Sequence, residues 1–562
     1  MTDTEVLIAG AGPVGLTAAL ELSRRGVARR LVDRLPERLP YAKAVGIQPR
    51  TLEVWDRTGV ARAALDAAVP LRGQLTYVNG AEQGRMELSL PPEVPYGFAA
   101  LPQYETERVL EERLVCYGGH IERGTELLSF AQDADGVTNR LRTAAGEELE
   151  IRSLFLVGCD GAHSVVRKTL GLSFEGGALP EEYMLADVEV DWDLAPGWTV
   201  RSMHHAPDGE VDDVLVCIPL PGRYRYRMSM RVPPELSLRD RPEAGDVVAH
   251  GLETGCAPRL EHIQAVLDRL SPWPTTASAM RWSSVFRISH RIVDRYGEGR
   301  VFVAGDAAHI HPPTGAQGMN TGIQDAFNLG WKLALATRGI AHTGLLESYH
   351  AERKPVGDEV VGRTLRHAAQ GVQADPDDPV TVGLREAQLL VAYPDSPLVE
   401  PGSAAGPGPA AGERAPDCGG LLDPLATFPL RLYDVLRERD HVLLLHADCA
   451  DGTKGFEQLA HTARGLTHDQ LTCYCVMPEG VDCGPLPFPV LRDSRGEFRE
   501  RYAAGGSEAF LVRPDGYLGA RVSPADPGPL SAALTRVFAC RSGPEGQSRP
   551  GTGAPEGTPA PT

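Results

Sequence analysis

The chain has 562 residues, 42% of them hydrophobic and 23% charged, which is typical of a soluble globular protein with two or three domains. A formal net charge of −19 argues against nucleic-acid binding, because phosphate backbones attract basic surfaces. No apolar run approaches about 18 residues, the length that a membrane helix requires. The amino terminus is acidic where a signal peptide is basic, so we expect a cytoplasmic protein that does not bind membranes.

The amino terminus predicts a strand, a glycine turn, a helix and a second strand. Glu5–Ala9 is a short apolar run, and the turn GAGPVG at residues 10–15 matches G-x-G-x-x-G. A helix is predicted to about Arg25, and the second strand, Ala28–Val32, ends at Asp33. Such glycines permit a tight turn and close approach of a pyrophosphate, and an acid about twenty residues further on can bind ribose hydroxyls. The segment predicts dinucleotide binding rather than a bare packing turn.

Two further predicted strands each lead into a segment with a glycine and an acid. Leu154–Val157 precedes GCDGAHSVVR at residues 158–167, and Val301–Ala304 precedes Gly305 and Asp306. The latter continues through two prolines and a glycine-rich turn into a helix predicted over Asn320–Leu335. Asp306 can accept hydrogen bonds from hydroxyls, and the helix directs its N–H groups and positive dipole end at whatever lies before it. The string 301–320 therefore suits a backbone wrapped around a large flat ligand.

The rest of the chain has a different pattern. Asp213–Val232 contains two β-rich runs around a Pro-Gly turn, which predicts a hairpin. Asp375–Gly412 is rich in Pro, Gly and Ala and is interpreted as a surface linker. Residues 413–540 alternate predicted strands and helices, and residues 541–562 have almost no apolar mass, so we expect them to be disordered.

Together these segments resemble the single-component FAD-dependent aromatic hydroxylases of the para-hydroxybenzoate hydroxylase fold. Within that family the chain is similar to the phenol-hydroxylase-like and aromatic-polyketide hydroxylases. The resemblance implies a cofactor site made of Gly10, Gly12, Pro13, Val14, Gly15, Asp33, Arg34, Lys43, Gln103, Asp160, Gly161, Ser164, Arg167, Gly305, Asp306, Pro312, Gly315, Gly318, Met319 and Asn320. Lys43 and Arg50 are alternatives for an arginine that the family places after the second strand.

The resemblance also implies an α/β architecture. We expect a Rossmann-like FAD-binding domain at residues 1–175 and 281–372, a β-sheet substrate domain inserted at 176–280, a linker at 373–412 and a thioredoxin-like domain at 413–540. That last domain lacks a C-x-x-C pair, so it is predicted to serve packing or homodimer formation rather than thiol chemistry.

The implied reaction is hydroxylation of an electron-rich aromatic ring with O2, through a flavin C4a-hydroperoxide formed after reduction by NADPH or NADH. The aromatic substrate is expected to be a phenol, a pyridinol or a polyketide intermediate. Only one G-x-G-x-x-G exists, so the nicotinamide cofactor is expected to bind transiently near the FAD domain. Baeyer–Villiger insertion or epoxidation on the same scaffold is an alternative, and a non-catalytic FAD-fold binding protein is a third.

Few residues point to the substrate. Pro312 suits a dry chamber beside the flavin because it is rigid and has no N–H to hold water. His204 and Tyr224, in the predicted inserted sheet, are candidates for activating a phenol, against the alternative that they are ordinary sheet residues. Arginines 223, 225 and 227 form a stripe that is interpreted as solvated or ion-paired rather than as a carboxylate clamp. No metal site is expected, because no third ligand accompanies His309 and His311.

Overall fold

The computed structural model describes residues 2–40, 42–192, 194–237, 257–370, 377–399 and 406–540. The predicted disordered tail lies outside these ranges. Within them the strands form two eight-stranded sheets, a six-stranded sheet and a three-stranded sheet, packed with helices. The α/β class that was expected from the sequence is confirmed.

The first large sheet, here called the cofactor sheet, has a parallel centre. Its strands lie in the order Gly297–Glu298, Val301–Val303, Glu148–Gly158, Thr4–Ala9, Arg29–Asp33 and Glu122–Arg123, with Glu126–Gln132 and Val137–Arg142 paired on one side. Ala9 pairs with Gly158, which in turn pairs with Val303. Because these parallel strands end at the same edge, the three glycine segments of the sequence meet there, where α/β sheets bind ligands.

Helices cover the cofactor sheet and frame its carboxyl edge. Pro13–Arg24 and Gly318–Thr337 pack against each other, and Gln103–Cys116 packs against the first of them. The long helix Glu347–Gln370 contacts Gly318–Thr337. Two short helices, Pro49–Thr58 and Ala61–Ala67, accompany the small sheet, whose strands are Gly46–Ile47, Ala99–Ala100 and Val69–Pro70.

Among the described residues, no helix combines the length and apolar character needed to cross a bilayer.

The second large sheet, here called the roof sheet, is mostly antiparallel. Its strand order is His309–Ile310, Ala277–Val293, Phe174–Val190, Arg225–Arg231, Val211–Pro219, Trp198–His205, Gly73–Val78 and Ala81–Glu87. The last two strands come from residues 73–87, which were expected to belong to the FAD-binding domain. Gly73–Val78 pairs in parallel with Trp198–His205 and so extends the sheet beyond that strand.

The two faces of the roof sheet bury different partners. On one face Cys217, Met228 and Met230 pack with helix Leu260–Leu270 in an apolar core. On the opposite face Leu185 and Trp282 pack against the loop segment 42–45 and the small sheet. The second face, here called the chamber face, therefore looks toward the carboxyl edge of the cofactor sheet.

The C-terminal region forms the six-stranded sheet. Its strands lie in the order Leu421–Leu422, Val490–Asp493, Leu471–Pro478, His441–Ala447, Ser507–Val512 and Leu518–Val522. Its helices are Leu432–Leu436, Phe456–Leu466, Glu497–Tyr502 and Pro527–Thr535. Helix Pro379–Glu386 lies within the stretch interpreted as a linker. The described cysteines are all free thiols.

A buried polar cluster joins this region to the FAD-binding part. Glu352, with no exposed side-chain surface, accepts hydrogen bonds from Lys332 and Arg513, both at most 1% exposed. Asn328 and Ser396 donate to the same carboxylate. We call this cluster the seam; its carboxylate is fully paired within the protein.

Candidate cofactor and substrate site

The glycine turn at residues 10–15 packs tightly on its protein side and leaves open space on the side of the sheet edge. Gly10 has φ +100°, a conformation that favours glycine. A Cβ at Gly15 would lie 1.8 Å from the carbonyl oxygen of Gly10, so only glycine permits this packing. A Cβ at Gly12 would meet no atom within 4 Å. Helix Pro13–Arg24 begins here, so its N-terminal N–H groups face the same open space.

Asp33 stabilises this turn. Its carboxylate accepts hydrogen bonds from the backbone N–H groups of Ala11, at 2.6 Å, and Leu35, at 2.8 Å. Nearby, Gln103 donates to Glu107 at 3.0 Å. Burial and, to a smaller extent, the charge of Asp33 raise the pKa of Glu107 to about 7, which places Gln103, Glu107 and Asp33 in one neighbourhood. Arg34 is exposed.

The DG segment links two strand ends. Asp160 accepts from the N–H of Val165 at 2.7 Å, and Ser164 caps the short helix Val165–Thr169. Arg167 donates to the carbonyl oxygen of Ala307 at 3.2 Å, which ties this segment to the GD turn. Gly161 has φ +78° and no atom within 4 Å of a Cβ placed on it.

The GD turn touches both the amino-terminal turn and the helix after it. Gly305 has φ +59°, and its Cβ would lie 2.8 Å from a methyl carbon of Val14. A Cβ on Gly322, in helix Gly318–Thr337, would lie 2.9 Å from the Cα of Gly305. The glycine turn, the GD turn and this helix therefore converge, and we call the opening that they border the recess.

Asp306 lies on the wall of the recess. Its side chain is exposed, yet burial by the surrounding protein raises the pKa of its carboxyl, opposed by the charges of His309 and Lys43. Exposure together with desolvation is the signature of a concave surface. Within the described ranges Asp306 accepts no hydrogen bond, so its oxygens remain available to a ligand.

A buried chain of polar groups supports the segment after Asp306. Asp325 accepts from the N–H of Gly305 at 3.1 Å and from Arg353 at 2.7 Å, and it lies 2.7 Å from His309 Nε2. Burial alone would raise the pKa of Asp325, but the charges of Arg353 and His309 hold it below its ordinary range. The turn is thereby fixed from behind by fully buried charges.

His311 presents an unused acceptor. Its Nδ1 is 2.9 Å from the carbonyl oxygen of Pro312, so Nδ1 carries the proton and donates. Burial lowers the pKa of His311 to about 4, so the ring is neutral and Nε2 is an acceptor. Nε2 is buried without a partner among the described residues and lies 3.2 Å from the Cβ position of Gly318. Pro312 itself is buried.

The start of helix Gly318–Thr337 is held against the small sheet. Asn320 accepts from the N–H of Gln48 at 3.0 Å and donates to the carbonyl oxygen of Gly46 at 2.9 Å. Gly315 has φ +70°, and its carbonyl oxygen accepts from the side chain of Gln48 at 2.6 Å. Met319 is half-buried. The amides at this helix start therefore have a fixed position beside the recess.

Comparisons with known proteins identify this arrangement. A family model described as FAD binding domain matches residues 3–364. The chain belongs to that family. A flavin-dependent monooxygenase of Mycobacteroides abscessus is 35% identical over 528 residues, covering 92% of this chain and 96% of that protein. The 6-methylpretetramide 4-monooxygenase of Streptomyces rimosus is 34% identical, covering 99% and 97%.

A solved structure agrees with this assignment. The crystal structure of the flavin-dependent monooxygenase PieE in complex with FAD and substrate has a TM-score of 0.78 and 25% identity, covering 95% of this chain and 100% of that one. The resemblance stated from the sequence is confirmed: the protein is an FAD-dependent aromatic hydroxylase.

The recess of the hydroxylase fits FAD. Gly12 leaves open space beside a helix start, which suits a pyrophosphate. Asp306 offers a carboxylate without a protein donor, which suits ribityl hydroxyls. His311 Nε2, a buried acceptor without a partner among the described residues, and the fixed amides near Asn320 are polar groups of the kind that would bind the edge of a flat heterocycle.

The hydroxylase does not bring His204 and Tyr224 to the recess. His204 lies 2.6 Å from Asp212, and Asp212 also binds Arg269 of helix Leu260–Leu270, so His204 is on the face opposite the chamber face. Tyr224 is 38% exposed at a hairpin turn, with Arg223 stacked on its ring. Arg50, the alternative to Lys43, is buried against Glu53 and donates to Asp515 of the C-terminal region.

Sequence reasoning missed the residues that hold the hydroxylase's recess from behind. Asp325, Arg353 and Gln48 bind the GD turn and the helix start, yet none was singled out for this role. A signal existed for Asp325, because an acid inside an apolar helix must find buried partners. No sequence signal pointed to Gln48, since the residue that it contacts is almost 270 positions away.

Proposed function

We propose that the protein hydroxylates a phenolic, polycyclic natural-product intermediate, using O2 and NADPH or NADH. The observation that carries this proposal is the apolar chamber face beside the recess. Leu185, Trp282 and Leu220 pack there with Val45, two residues from Lys43, whose charge acts on Asp306. An aromatic ring bound against this face would lie beside the flavin position.

Each cofactor-binding role follows from the contacts of the chain. The turn at residues 10–15 would hold the pyrophosphate, with Asp33 and Gln103 near the adenosine and Asp160 and Asp306 along the linker to the flavin. When bound, FAD supplies hydride acceptance and oxygen activation. Pro312, which is buried and has no N–H, would exclude water from the reacting edge. The amides at Gly318, Met319 and Asn320 would stabilise negative charge at the pyrimidine edge.

One group of relatives favours a large substrate, whereas another relative is named for the single-ring pentachlorophenol. One of them is named for 6-methylpretetramide, and this chain matches it over nearly its whole length. A polycyclic phenol would use the broad chamber face more fully than a single ring. A reducing nicotinamide, a cytoplasmic location and a homodimer remain predictions from the sequence.

The test is turnover with a substrate panel. Purified protein should be yellow, and a phenolic naphthoquinone or anthraquinone should stimulate NAD(P)H consumption and gain one oxygen atom by mass spectrometry. A new ring hydroxyl in the NMR spectrum supports the proposal, whereas a ring-expanded lactone or an epoxide supports the alternative oxygenations. A yellow protein that oxidises NAD(P)H but transfers no oxygen to any aromatic compound contradicts the proposal.

A further inference from the structure

The last hairpin of the six-stranded sheet has a buried turn. All residues of this turn, Arg513–Tyr517, are buried, although hairpin turns normally lie at the protein surface. Arg50 and Arg57 of helix Pro49–Thr58 each donate a hydrogen bond of 2.9 Å to a backbone carbonyl oxygen of the turn. The turn, here called the hairpin tip, therefore packs into the FAD-binding part of the protein.

Two tyrosine rings connect the hairpin tip with a residue outside the C-terminal sheet. The rings of Tyr517, in the tip, and Tyr393 have centroids 4.4 Å apart, and both side chains are buried. The guanidinium of Arg50 lies over the Tyr517 ring, 4.7 Å from its centroid. The Tyr517 hydroxyl is buried without a hydrogen-bond partner among the described residues. The ring of Tyr517, rather than its hydroxyl, therefore fixes the position of Tyr393.

The hydroxyl of Tyr393 leads from this contact to the recess. It accepts a hydrogen bond from Arg353 Nη1 at 2.8 Å. The same guanidinium donates through Nε to Asp325 at 2.7 Å, and Asp325 accepts from the N–H of Gly305 at 3.1 Å. Gly305 directly precedes Asp306, the recess carboxylate that is available to a ligand. Three consecutive hydrogen bonds therefore connect Tyr393 with the GD turn.

The geometry of Arg353 makes its contacts depend on one another. Its side chain has no exposed surface, and its Nη2 donates to the carbonyl oxygen of Thr321, near the start of helix Gly318–Thr337, at 3.2 Å. A guanidinium is planar and rigid, so a partner at Nη1 limits the directions in which Nε can donate. Loss of the Tyr393 hydroxyl would leave Nη1 without this partner and let the guanidinium turn. The same contacts could also serve the fold alone, and an experiment must separate the two roles.

We propose that Tyr393 is a positioning residue for FAD: through Arg353 and Asp325 it fixes the GD turn in the conformation in which Asp306 meets the cofactor. Because the hairpin tip packs on the Tyr393 ring, the C-terminal region becomes part of the support of the cofactor site. The sequence predicted only packing or homodimer formation for that region. The inference rests on the proposed contact of Asp306 with FAD, and it requires no hydroxylation.

The test is a double-mutant cycle on FAD affinity, measured by flavin fluorescence during titration of the FAD-free protein. Tyr393→Phe removes one hydroxyl, keeps the ring and should raise the Kd about fivefold or more. In the Asp306→Ala background the same substitution should raise the Kd by about twofold at most, because the GD turn then has no carboxylate to position. Tyr502→Phe is the matched control. It removes another buried tyrosine hydroxyl, which donates to the carbonyl oxygen of Pro416 at 2.9 Å, and should leave the Kd unchanged.

A second pair of variants decides the matter if Tyr393→Phe does not fold. Tyr517→Leu removes the ring that packs on Tyr393 and should raise the Kd for FAD about threefold or more, whereas Tyr517→Phe keeps the ring and should restore the wild-type Kd. At saturating FAD, the visible circular dichroism of the bound flavin should change in Tyr393→Phe and Tyr517→Leu and keep its wild-type form in Tyr502→Phe.

Three results would overturn the proposal. They are an equal rise of the Kd in both backgrounds of the cycle, an unchanged Kd and flavin dichroism in Tyr393→Phe, and the same loss of affinity in Tyr517→Phe as in Tyr517→Leu. A Kd that Asp306→Ala alone leaves unchanged would overturn the contact of Asp306 with FAD together with the inference. The single variant therefore shows which of the two has failed, and none of these measurements depends on turnover.

Discussion

Two carboxylates near helix Gly318–Thr337 have opposite surroundings. At the seam, Glu352 accepts hydrogen bonds from four side chains and has no exposed surface. In the recess, Asp306 is desolvated but accepts none from the described residues. A protein can satisfy a buried carboxylate by itself or leave it to a ligand. The comparison separates residues that hold the fold from those that bind its cofactor.

Removing the seam carboxylate should have the largest effect on stability. Glu352→Ala leaves Lys332 and Arg513 buried without their partner, which costs about 3–5 kcal/mol in the free energy of unfolding. Urea unfolding of the FAD-free protein measures this loss. Asp66→Ala is the control, because its pair with Arg62 is exposed and worth at most about 1 kcal/mol. Equal losses in both variants would contradict the distinction between the regions.

Removing the recess carboxylate should affect the cofactor and spare the fold. Asp306→Ala should weaken FAD binding by about 1.5–3 kcal/mol, the range for hydrogen bonds to a charged group. Flavin fluorescence on titration of the FAD-free protein gives the change in Kd. The melting temperature of the FAD-free variant should equal that of wild type, since Asp306 accepts no hydrogen bond from the described residues. A lower melting temperature would show that Asp306 supports the fold.

His441, on which the charge of Arg513 from the seam acts, should also give stability a pH dependence. Burial lowers the pKa of His441 to about 3, so the folded protein keeps this ring neutral while the unfolded chain protonates it near 6.5. The unfolded state then binds more protons, and the free energy of unfolding falls as pH decreases from 6.5 toward 3. Between about pH 7.5 and about pH 5.5 the contribution of His441 is about 1.4 kcal/mol.

Phenylalanine can replace this ring because His441 packs edge-on against Trp331 and Phe538. His441→Phe should therefore flatten the decrease of unfolding free energy between about pH 7.5 and about pH 5.5, measured by urea unfolding. His461→Phe, at an exposed helix position, should keep the wild-type slope. Identical slopes in all three proteins would assign the pH dependence to other groups.

The recess was predictable from sequence because its geometry is local. Gly10, Gly15 and Gly305 occupy positions where backbone conformation or close packing permits only glycine, and such positions leave a motif. The pairing at the seam was not predictable, since Glu352 and Arg513 are 161 positions apart. The same holds for the roof sheet, whose strand Gly73–Val78 pairs with Trp198–His205 across more than a hundred residues.

Composition did not reveal one helix. The stretch rich in Pro, Gly and Ala was interpreted as a linker, yet it contains helix Pro379–Glu386, capped by Asp378. The side chain of Gln388, just beyond that helix, donates to Gln317 at 2.7 Å and so supports the helix start beside the recess. The helix itself follows local rules, because Asp378 caps it and Pro379 lies in its first turn, where proline is favourable.

The pairing of Gly73–Val78 with Trp198–His205 sets a condition for engineering this enzyme. Altered selectivity is often sought by transplanting a contiguous segment between homologues. A chimera that exchanged only the stretch 174–293 would pair a foreign strand with a native one inside the roof sheet. Residues 73–87 of the donor protein must therefore be exchanged together with this stretch. Otherwise the hybrid would expose an unpaired strand edge and aggregate.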